Sequence, residues 1–238
     1  MQDNDTVWIF SADIGKKNFA FCIEEFSKSE LLRIENIPSI KRYNEDGTPT
    51  VEMQDILNRV CVNGKIILHK NLDLTENCNP KVKLDPETFH NMIDALDMYV
   101  NYFDQCSAFI IEEQMAFGKK LNKMAMKLGQ HCYSYFTFKY GRHKSIIEFP
   151  AYHKTQILGA PKVEGKPYKS GKKRYKAMEK SQRKKWSVEK AVEILSNRGE
   201  KEVLEGFKNR KKLYDICDSI CQLNAFKYKI YVDKVSRN

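Results

Sequence analysis

The stretch VWIFSADIGKKNFAFCI, residues 7–23, decides the fold. Val7 to Ala12 is a short apolar run of strand-favouring residues, and Phe19 to Ile23 is a second such run. The polar segment between them contains Gly15, so we predict two antiparallel strands joined by a hairpin. A third strand is predicted near Leu31 to Ile37, before any convincing helix. This order predicts an antiparallel meander that opens an α/β domain.

The remaining chain alternates helix and strand patterns. Apolar residues recur at helical spacing in four stretches, which we predict as helices: Pro86 to Phe103, Leu121 to Phe138, Trp186 to a stop at Gly199, and Leu213 to Phe226. Two apolar runs between the helices, Ser107 to Ile111 and Ser145 to Phe149, are predicted to be strands of the same sheet.

Two stretches interrupt this alternation, and we predict both to be insertions in a single domain that spans 1–238. Residues 41–85 are rich in Asn, Asp, Gly and Pro, with a possible hairpin that turns at Asn63-Gly64 into a strand from Lys65 to His69. Residues from about 158 to 180 form a lysine-rich loop interrupted by glycine and proline.

Composition describes a basic protein of 238 residues with a net charge of +10 and a pI of about 9.1. Excess positive charge favours a polyanionic partner such as nucleic acid, although it also serves solubility. The seven cysteines contain no Cys-x-x-Cys pair and are predicted to be reduced thiols. Because no apolar stretch is long enough to span a bilayer, we expect a soluble, intracellular protein without a membrane partner.

Two acidic residues end predicted strands. Asp13 follows the first apolar run, and Glu112 follows Phe109-Ile110-Ile111. A carboxylate at the end of a buried strand is costly to desolvate, so it normally binds a cation or takes up a proton. Each residue taken alone is explained equally well as a solvated strand end.

Asp215 and Asp218 lie three residues apart on the last predicted helix and therefore share one side of it. Their neighbours, among them Leu213 and Ile216, are apolar, so two like charges would repel on a largely buried face. A divalent metal would relieve that repulsion, and ligands that offer only oxygen favour Mg²⁺ or Mn²⁺. A solvated helix edge is the alternative.

In their order along the chain, these acids and their surroundings resemble the RuvC-like resolvases of the RNase H fold, most closely the poxvirus-type enzymes of large eukaryotic DNA viruses. The resemblance rests on four segments: Asp13-Ile14-Gly15-x-Lys17-Asn18, Ile111-Glu112-x-Gln114, Lys184-Lys185-x-Ser187-Val188-Glu189, and Lys211-Lys212-Leu213-x-Asp215-x-x-Asp218-Ser219. Glu113 departs from the family, which tends to have a basic residue there, so either Glu112 or Glu113 could be the acid that matches.

The resemblance implies an RNase H-like fold, with three antiparallel strands followed by parallel strands and helices on both sides. It implies a Holliday junction resolvase that cuts four-way DNA junctions by paired, symmetric nicks. Asp13, Glu112, Asp215 and Asp218 would hold two Mg²⁺ ions, which Mn²⁺ can replace. Lys184 or Lys185 would contact the cleaved phosphate.

Other basic and polar residues would contact the DNA backbone. They are Lys16, Lys17, Asn18, Lys172, Lys173, Arg174 and Arg183. Because a four-way junction is two-fold symmetric, the resemblance implies a homodimer. It also implies action where viral genomes replicate in the host cell.

Two other functions are compatible with the same sequence. One is a less selective RNase H-like nuclease that acts on flaps, branched DNA or RNA:DNA hybrids. The other is a non-catalytic protein that binds junctions through its basic surface. The four acids weigh against the second function, because a pure binder gains nothing from negative charge placed against phosphates.

Overall fold

The computed structural model describes residues 5–114, 122–168, 170–208 and 213–234. Its centre is a sheet of five strands: β1 (Thr6–Asp13), β2 (Phe19–Ser27), β3 (Lys65–Leu72), β4 (Cys106–Glu113) and β5 (Ser145–Pro150). The strand order is β3-β2-β1-β4-β5. β1 pairs antiparallel with β2 and β2 with β3, whereas β1 with β4 and β4 with β5 are parallel. The predicted mixed sheet of the RNase H-like fold is confirmed.

Helices cover both faces of the sheet. They are α1 (Lys28–Leu32), α2 (Val51–Val62), α3 (Glu87–Asp97), α4 (Val100–Phe103), α5 (Lys123–Tyr140), α6 (Tyr152–Ile157), α7 (Lys180–Arg198), α8 (Lys201–Lys208) and α9 (Tyr214–Lys227). Because side chains alternate along a strand, β1 contributes to two cores. Phe10 packs with the aromatic core beneath α5, and Ile9 packs in the core beneath α9. The acidic end of α9 is thereby held against the sheet.

The predicted third strand at Leu31 to Ile37 is wrong. The chain turns into α1 directly after β2, because the hydroxyl of Ser27 accepts a hydrogen bond from the backbone N–H of Glu30 and caps the helix. The strand that completes the meander is β3, which pairs with β2 from Phe19↔Leu72 to Glu25↔Lys65. Two helices therefore separate the second and third strands.

The stretch 41–85 contributes to the central sheet, since it contains α2 and β3. The hairpin predicted at Asn63-Gly64 is wrong: a helix rather than a strand precedes this turn, capped at its start by Thr50. The strand predicted from Lys65 is present and continues to Leu72. Its edge position in the sheet makes this stretch part of the core architecture.

Three other predicted boundaries change. The helix predicted over Pro86 to Phe103 is divided into α3 and α4. Between them, the backbone N–H groups of Met98 and Tyr99 donate to carbonyl oxygens in the last turn of α3. The helix predicted from Trp186 begins at Lys180, where Glu179 and Gln182 form a reciprocal capping box. The basic stretch before it contains a small two-stranded sheet, β6 (Val163–Gly165) with β7 (Arg174–Lys176).

All seven cysteines are free, and all except the half-buried Cys78 are buried. Within the ranges that the structure describes, we find no helix with the length and apolar character needed to cross a bilayer.

Candidate active site

Asp13 and Glu112 lie side by side at the carboxyl ends of two parallel strands. β1 and β4 are in register with Ala12 opposite Ile111, which places the two acids at the same level. Alternation along each strand directs both carboxylates to the face that α9 covers. The acids predicted from two distant parts of the sequence therefore meet at one edge of the sheet.

Glu113 lies on the opposite face from Glu112. β4 extends through Glu113, which is opposite Pro150 of β5, so the alternation includes both glutamates. The Glu112 side chain is 12% exposed and its carboxylate accepts a hydrogen bond from Lys154. Glu113 is exposed, and no hydrogen bond or ion pair to the cluster is found for it among the described residues, although both glutamates border a second depression beside Lys127. The geometry thus groups Glu112, and not Glu113, with Asp13.

Buried hydrogen bonds fix α9 across the end of β1. The hydroxyl of Ser11 donates to the carbonyl oxygen of Ser219 at 2.9 Å. Gln222 Nε2 donates to the Ser11 hydroxyl at 3.1 Å and to the Ala12 carbonyl at 3.3 Å. Ser219 directly follows Asp218 and Gln222 lies one helical turn beyond it, so these bonds hold the acidic start of α9 above the end of β1.

A buried lysine from α6 lies among the acids. Lys154 Nζ is 2.8 Å from Glu112 Oε2 and 3.4 Å from Asp218 Oδ2. Burial alone would lower the pKa of Lys154, but Glu112, Asp218 and Asp13 outweigh it and raise the pKa above its usual range. The ammonium group therefore stays charged and partly neutralises the cluster.

The Asp13 carboxyl group has a strongly perturbed pKa. Burial raises its pKa well above the usual range, and the negative charges of Glu112, Asp218 and Asp215 raise it further, while Lys154 opposes them. All three of the other acids are therefore close enough to act on this carboxyl group. Such a cluster holds its full negative charge only when cations are close to it.

The start of α7 contributes further partners. The Ser187 hydroxyl donates to Asp218 Oδ1, and Lys184 Nζ lies 3.4 Å from Asp215 Oδ1. Lys185 is directed away, because its side chain is 80% exposed and pairs with Glu189 on the same helix. Of the two lysines considered from the sequence, only Lys184 joins the cluster.

A pocket of about 150 Å³ opens onto the cluster. Glu112, Lys154, Lys184, Ser187 and Asp218 line it, and Lys180 and Arg183 border it with positive charge. A small cavity with carboxylates on its floor and cations around it suits an anionic group that approaches together with metal ions.

The other residues predicted to contact DNA lie in two loops. Lys16, Lys17 and Asn18 occupy the turn between β1 and β2, directly after Asp13, and Lys16 Nζ donates to the Lys83 carbonyl. Lys172, Lys173 and Arg174 are exposed where the chain enters β7. Lys211 and Lys212 lie outside the described residues.

The donor set suits a hard divalent cation. Four carboxylates face the ammonium groups of Lys154 and Lys184, and the buried Lys154 acts as a stand-in cation between Glu112 and Asp218. In the described ranges, no group of three or more His, Cys, Asp or Glu side chains is arranged to hold a metal ion as the side chains stand.

Lys154 is the functional residue that sequence reasoning missed. It follows β5, a strand that was predicted, by only four residues. Because β5 lies parallel to β4, a residue just beyond its end is close to Glu112. Its position shortly after a parallel strand could therefore have indicated Lys154 from the sequence. The side chain reaches the acids from the first turn of α6.

Comparison with known proteins shows the family of this chain. It is 31% identical to "Uncharacterized protein 170L" of Invertebrate iridescent virus 6 over 97% of this chain and 93% of that protein. It is 28% identical to "Uncharacterized protein 97L" of Invertebrate iridescent virus 3, over 92% and 98% of the two chains. No protein-family model matches. The chain belongs to the family of protein 170L.

Among solved structures, the fold resembles Fowlpox virus resolvase in complex with its substrate Holliday junction DNA. The TM-score is 0.50 at 16% sequence identity, with 94% of this chain and 99% of that chain covered. RuvC of Thermus thermophilus gives a TM-score of 0.46 at 14% identity. Together with the strand order, the fowlpox comparison confirms the predicted resemblance at the level of fold.

Proposed function

We propose that this protein is a metal-dependent endonuclease that resolves four-way DNA junctions. The observation that carries the proposal is the convergence of acids from β1, β4 and α9 around the buried ammonium group of Lys154. The positive border of the pocket and the net charge of +10 favour a polyanionic substrate. The fold of the fowlpox enzyme, whose structure contains a Holliday junction, supports this substrate class.

In this proposal Asp13, Glu112, Asp215 and Asp218 hold two Mg²⁺ ions, for which Mn²⁺ can substitute. When bound, such ions activate water for in-line attack on phosphate and stabilise the departing 3′-oxygen. The protein itself contributes position and charge. Lys184 places an ammonium group at the pocket where the cleaved phosphate would lie, and Arg183 at the pocket border contacts a neighbouring phosphate.

Paired glutamate variants test the acid assignment. Glu112→Gln removes a carboxylate that faces the cluster, so we expect at least about a hundredfold loss of Mg²⁺-dependent cleavage. Glu113→Gln is the matched control on the opposite face and should stay within about twofold of wild type. Both rates are measured on a labelled four-way junction. A greater loss for Glu113→Gln would reverse the assignment.

Asp13→Asn tests whether chemistry and binding separate. We expect cleavage to be lost while junction affinity is unchanged or increased, because the variant removes negative charge next to phosphates.

Parallel assays on a mobile four-way junction, a flap and an RNA:DNA hybrid test which substrate the protein prefers. Equal rates on the three would indicate a less selective nuclease, and binding without any cleavage would indicate a junction-binding protein.

A homodimer is part of the proposal, because symmetric nicks in a two-fold junction need two equivalent active sites. Light scattering on the purified protein, alone and with a junction, measures the number of copies. The iridescent virus origin of the two relatives supports action where viral genomes replicate. A monomer that produced paired nicks at the same rate on both strands would contradict the dimer.

A further inference from the structure

A second cavity of about 460 Å³ lies beside the acid pocket and is called the side cleft below. Tyr43, Tyr152, Gln156, Lys162, Met178 and Arg183 are among the residues that line it. Thr155 and Arg183 line both the side cleft and the acid pocket, so the two cavities adjoin. The volume is within the range of small-ligand pockets, about 300–1,000 Å³.

Two segments that form walls of the side cleft, residues 43–49 and 152–162, are held together by hydrogen bonds. The Tyr43 hydroxyl donates to the Ile157 carbonyl at 2.7 Å, and the backbone N–H of Lys162 donates to the Asp46 carbonyl at 2.6 Å. A side chain at Gly159 would place its Cβ 2.5 Å from Pro49 Cδ, so the two segments approach too closely for any other residue. The side cleft is therefore preformed.

The lining combines apolar surface with positive charge. Tyr152 is 46% exposed and Met178 is half-buried, so both offer apolar surface to an occupant. The exposed amide of Gln156 offers hydrogen bonds, and the cationic side chains of Lys162 and Arg183 complete the lining. These groups match a flat ring with polar edges that is attached to a phosphate.

We propose that the side cleft binds an unpaired nucleobase of branched DNA, on the nucleotide next to the phosphate that the acid cluster receives. The proposal rests on the nuclease function proposed above and adds a contact with the base. Arg183 links the two cavities and lies where it can contact the phosphate between them. A nuclease that cuts at branch points meets bases that have lost a stacking neighbour, and an aromatic ring can replace that neighbour.

The test measures junction affinity by fluorescence anisotropy in EDTA, where no cleavage occurs. The probes are an intact four-way junction and a series in which each nucleotide within three of the branch point is made abasic in turn. For wild type we expect about a tenfold loss of affinity at one or two abasic positions. Tyr152→Ala should lose about tenfold on the intact junction and nothing further at those positions.

Phe138→Ala is the matched control, because Phe138 is 96% exposed on α5 and does not line the side cleft. This variant should bind like wild type and keep the abasic penalty. Met178→Ala should behave in the same way, with weaker binding to the intact junction and no further loss at the abasic positions. Because Met178 lies outside α6, this result would exclude the explanation that Tyr152→Ala acts only by disturbing that helix. Additive losses for both cleft variants, or wild-type affinity in both, would overturn the proposal.

Cleavage of the same junction in Mg²⁺ separates this proposal from the proposed function. Normal cleavage without any coupling at abasic positions overturns only the base site. Coupling without cleavage overturns the nuclease and leaves the base site standing. A protein that binds none of these DNAs overturns both.

Discussion

Two clusters of buried charge lie on the same face of the sheet, at opposite ends of α7 and α9. The first is the acid cluster described above. In the second, the Glu24 cluster, Glu24 Oε1 accepts hydrogen bonds from Arg198 Nη2 at 2.9 Å and from Lys227 Nζ. The Glu24 and Lys227 side chains have no exposed surface, and Arg198 is 2% exposed.

The clusters differ in charge balance. Arg198 also pairs with Glu200, so two carboxylates face two cations in the Glu24 cluster. Burial lowers the pKa of Lys227 to about 8, which leaves it charged at pH 7. The acid cluster instead sets Glu112, Asp215 and Asp218, beside the Asp13 carboxyl group, against only Lys154 and Lys184. A balanced buried cluster maintains structure, whereas an unbalanced one has capacity for a bound cation.

Glu24→Gln should have the largest effect on stability. The substitution leaves Lys227 buried without an anion and Arg198 with only Glu200, so we expect the free energy of unfolding to fall by about 3–5 kcal/mol. Urea denaturation measures the change. Glu25→Gln is the matched control, because Glu25 lies on the other face of β2 and an amide oxygen can still accept the Trp8 indole N–H. A loss below about 1 kcal/mol for Glu24→Gln would mean that the cluster is not structural.

The same variant predicts a pH dependence. Burial alone would raise the pKa of Glu24, but Arg198 and Lys227 outweigh it and bring the pKa below its ordinary value of 4.5. The stability that the Glu24 charge provides is thus fully present above pH 4.5 and is lost as the pH falls through the lower pKa of the folded state. Urea titrations from neutral to acidic pH should show wild type and Glu24→Gln converging under acid conditions. A constant difference would contradict the assigned charge.

Sequence patterns predicted the acid cluster better than the Glu24 cluster. Asp13 and Glu112 end apolar strands, which marked each as a candidate, and the order of the four acids along the chain with the family resemblance grouped them. Glu24 lies within β2, and its partners come from the far ends of α7 and α9, which only the tertiary structure brings together. The sequence around a single charged residue within a strand contains no periodic pattern from which such distant partners could be predicted.

The third strand was misplaced for a local reason. Leu31 and Ile34 are apolar and buried as expected, but they pack from a short helix and the turn after it, because Ser27 caps that helix. The true edge strand β3 is largely half-buried along its length and carries polar residues, so its pattern is weaker than that of the central strands. Pairing with β2 in the folded protein, rather than intrinsic strand propensity, determined which segment forms the third strand.

Metal binding should stabilise one cluster and leave the other unchanged. At a Mg²⁺ concentration 100 times its Kd, we expect about 2.7 kcal/mol of added stability, measured by urea or thermal denaturation against EDTA. Asp13→Asn should remove most of this gain. Glu25→Gln, which removes a carboxylate outside both clusters, is the control and should respond to Mg²⁺ like wild type. Equal stabilisation of Asp13→Asn and wild type would place the metal elsewhere.

The smallest expected effect concerns charges that belong to neither cluster. Lys172, Lys173 and Arg174 are exposed, and Lys173 Nζ lies 3.4 Å from Glu164 Oε2. Solvated cations of this kind act on DNA through release of counterions, each phosphate contact adding about 0.9 to the slope of log affinity against log salt.

Changing Lys172, Lys173 and Arg174 together to Gln should therefore lower that slope by about 2.7 if all three contact phosphates. Lys139→Gln on α5 is a single-charge control in a helix on the other face of the sheet, where Lys139 pairs with Asp97. Junction affinity is measured from low to high salt. Because salt screens exposed charges far more than buried ones, urea stability of the triple variant should stay close to wild type. A large stability loss would show that these cations support the fold instead of the DNA.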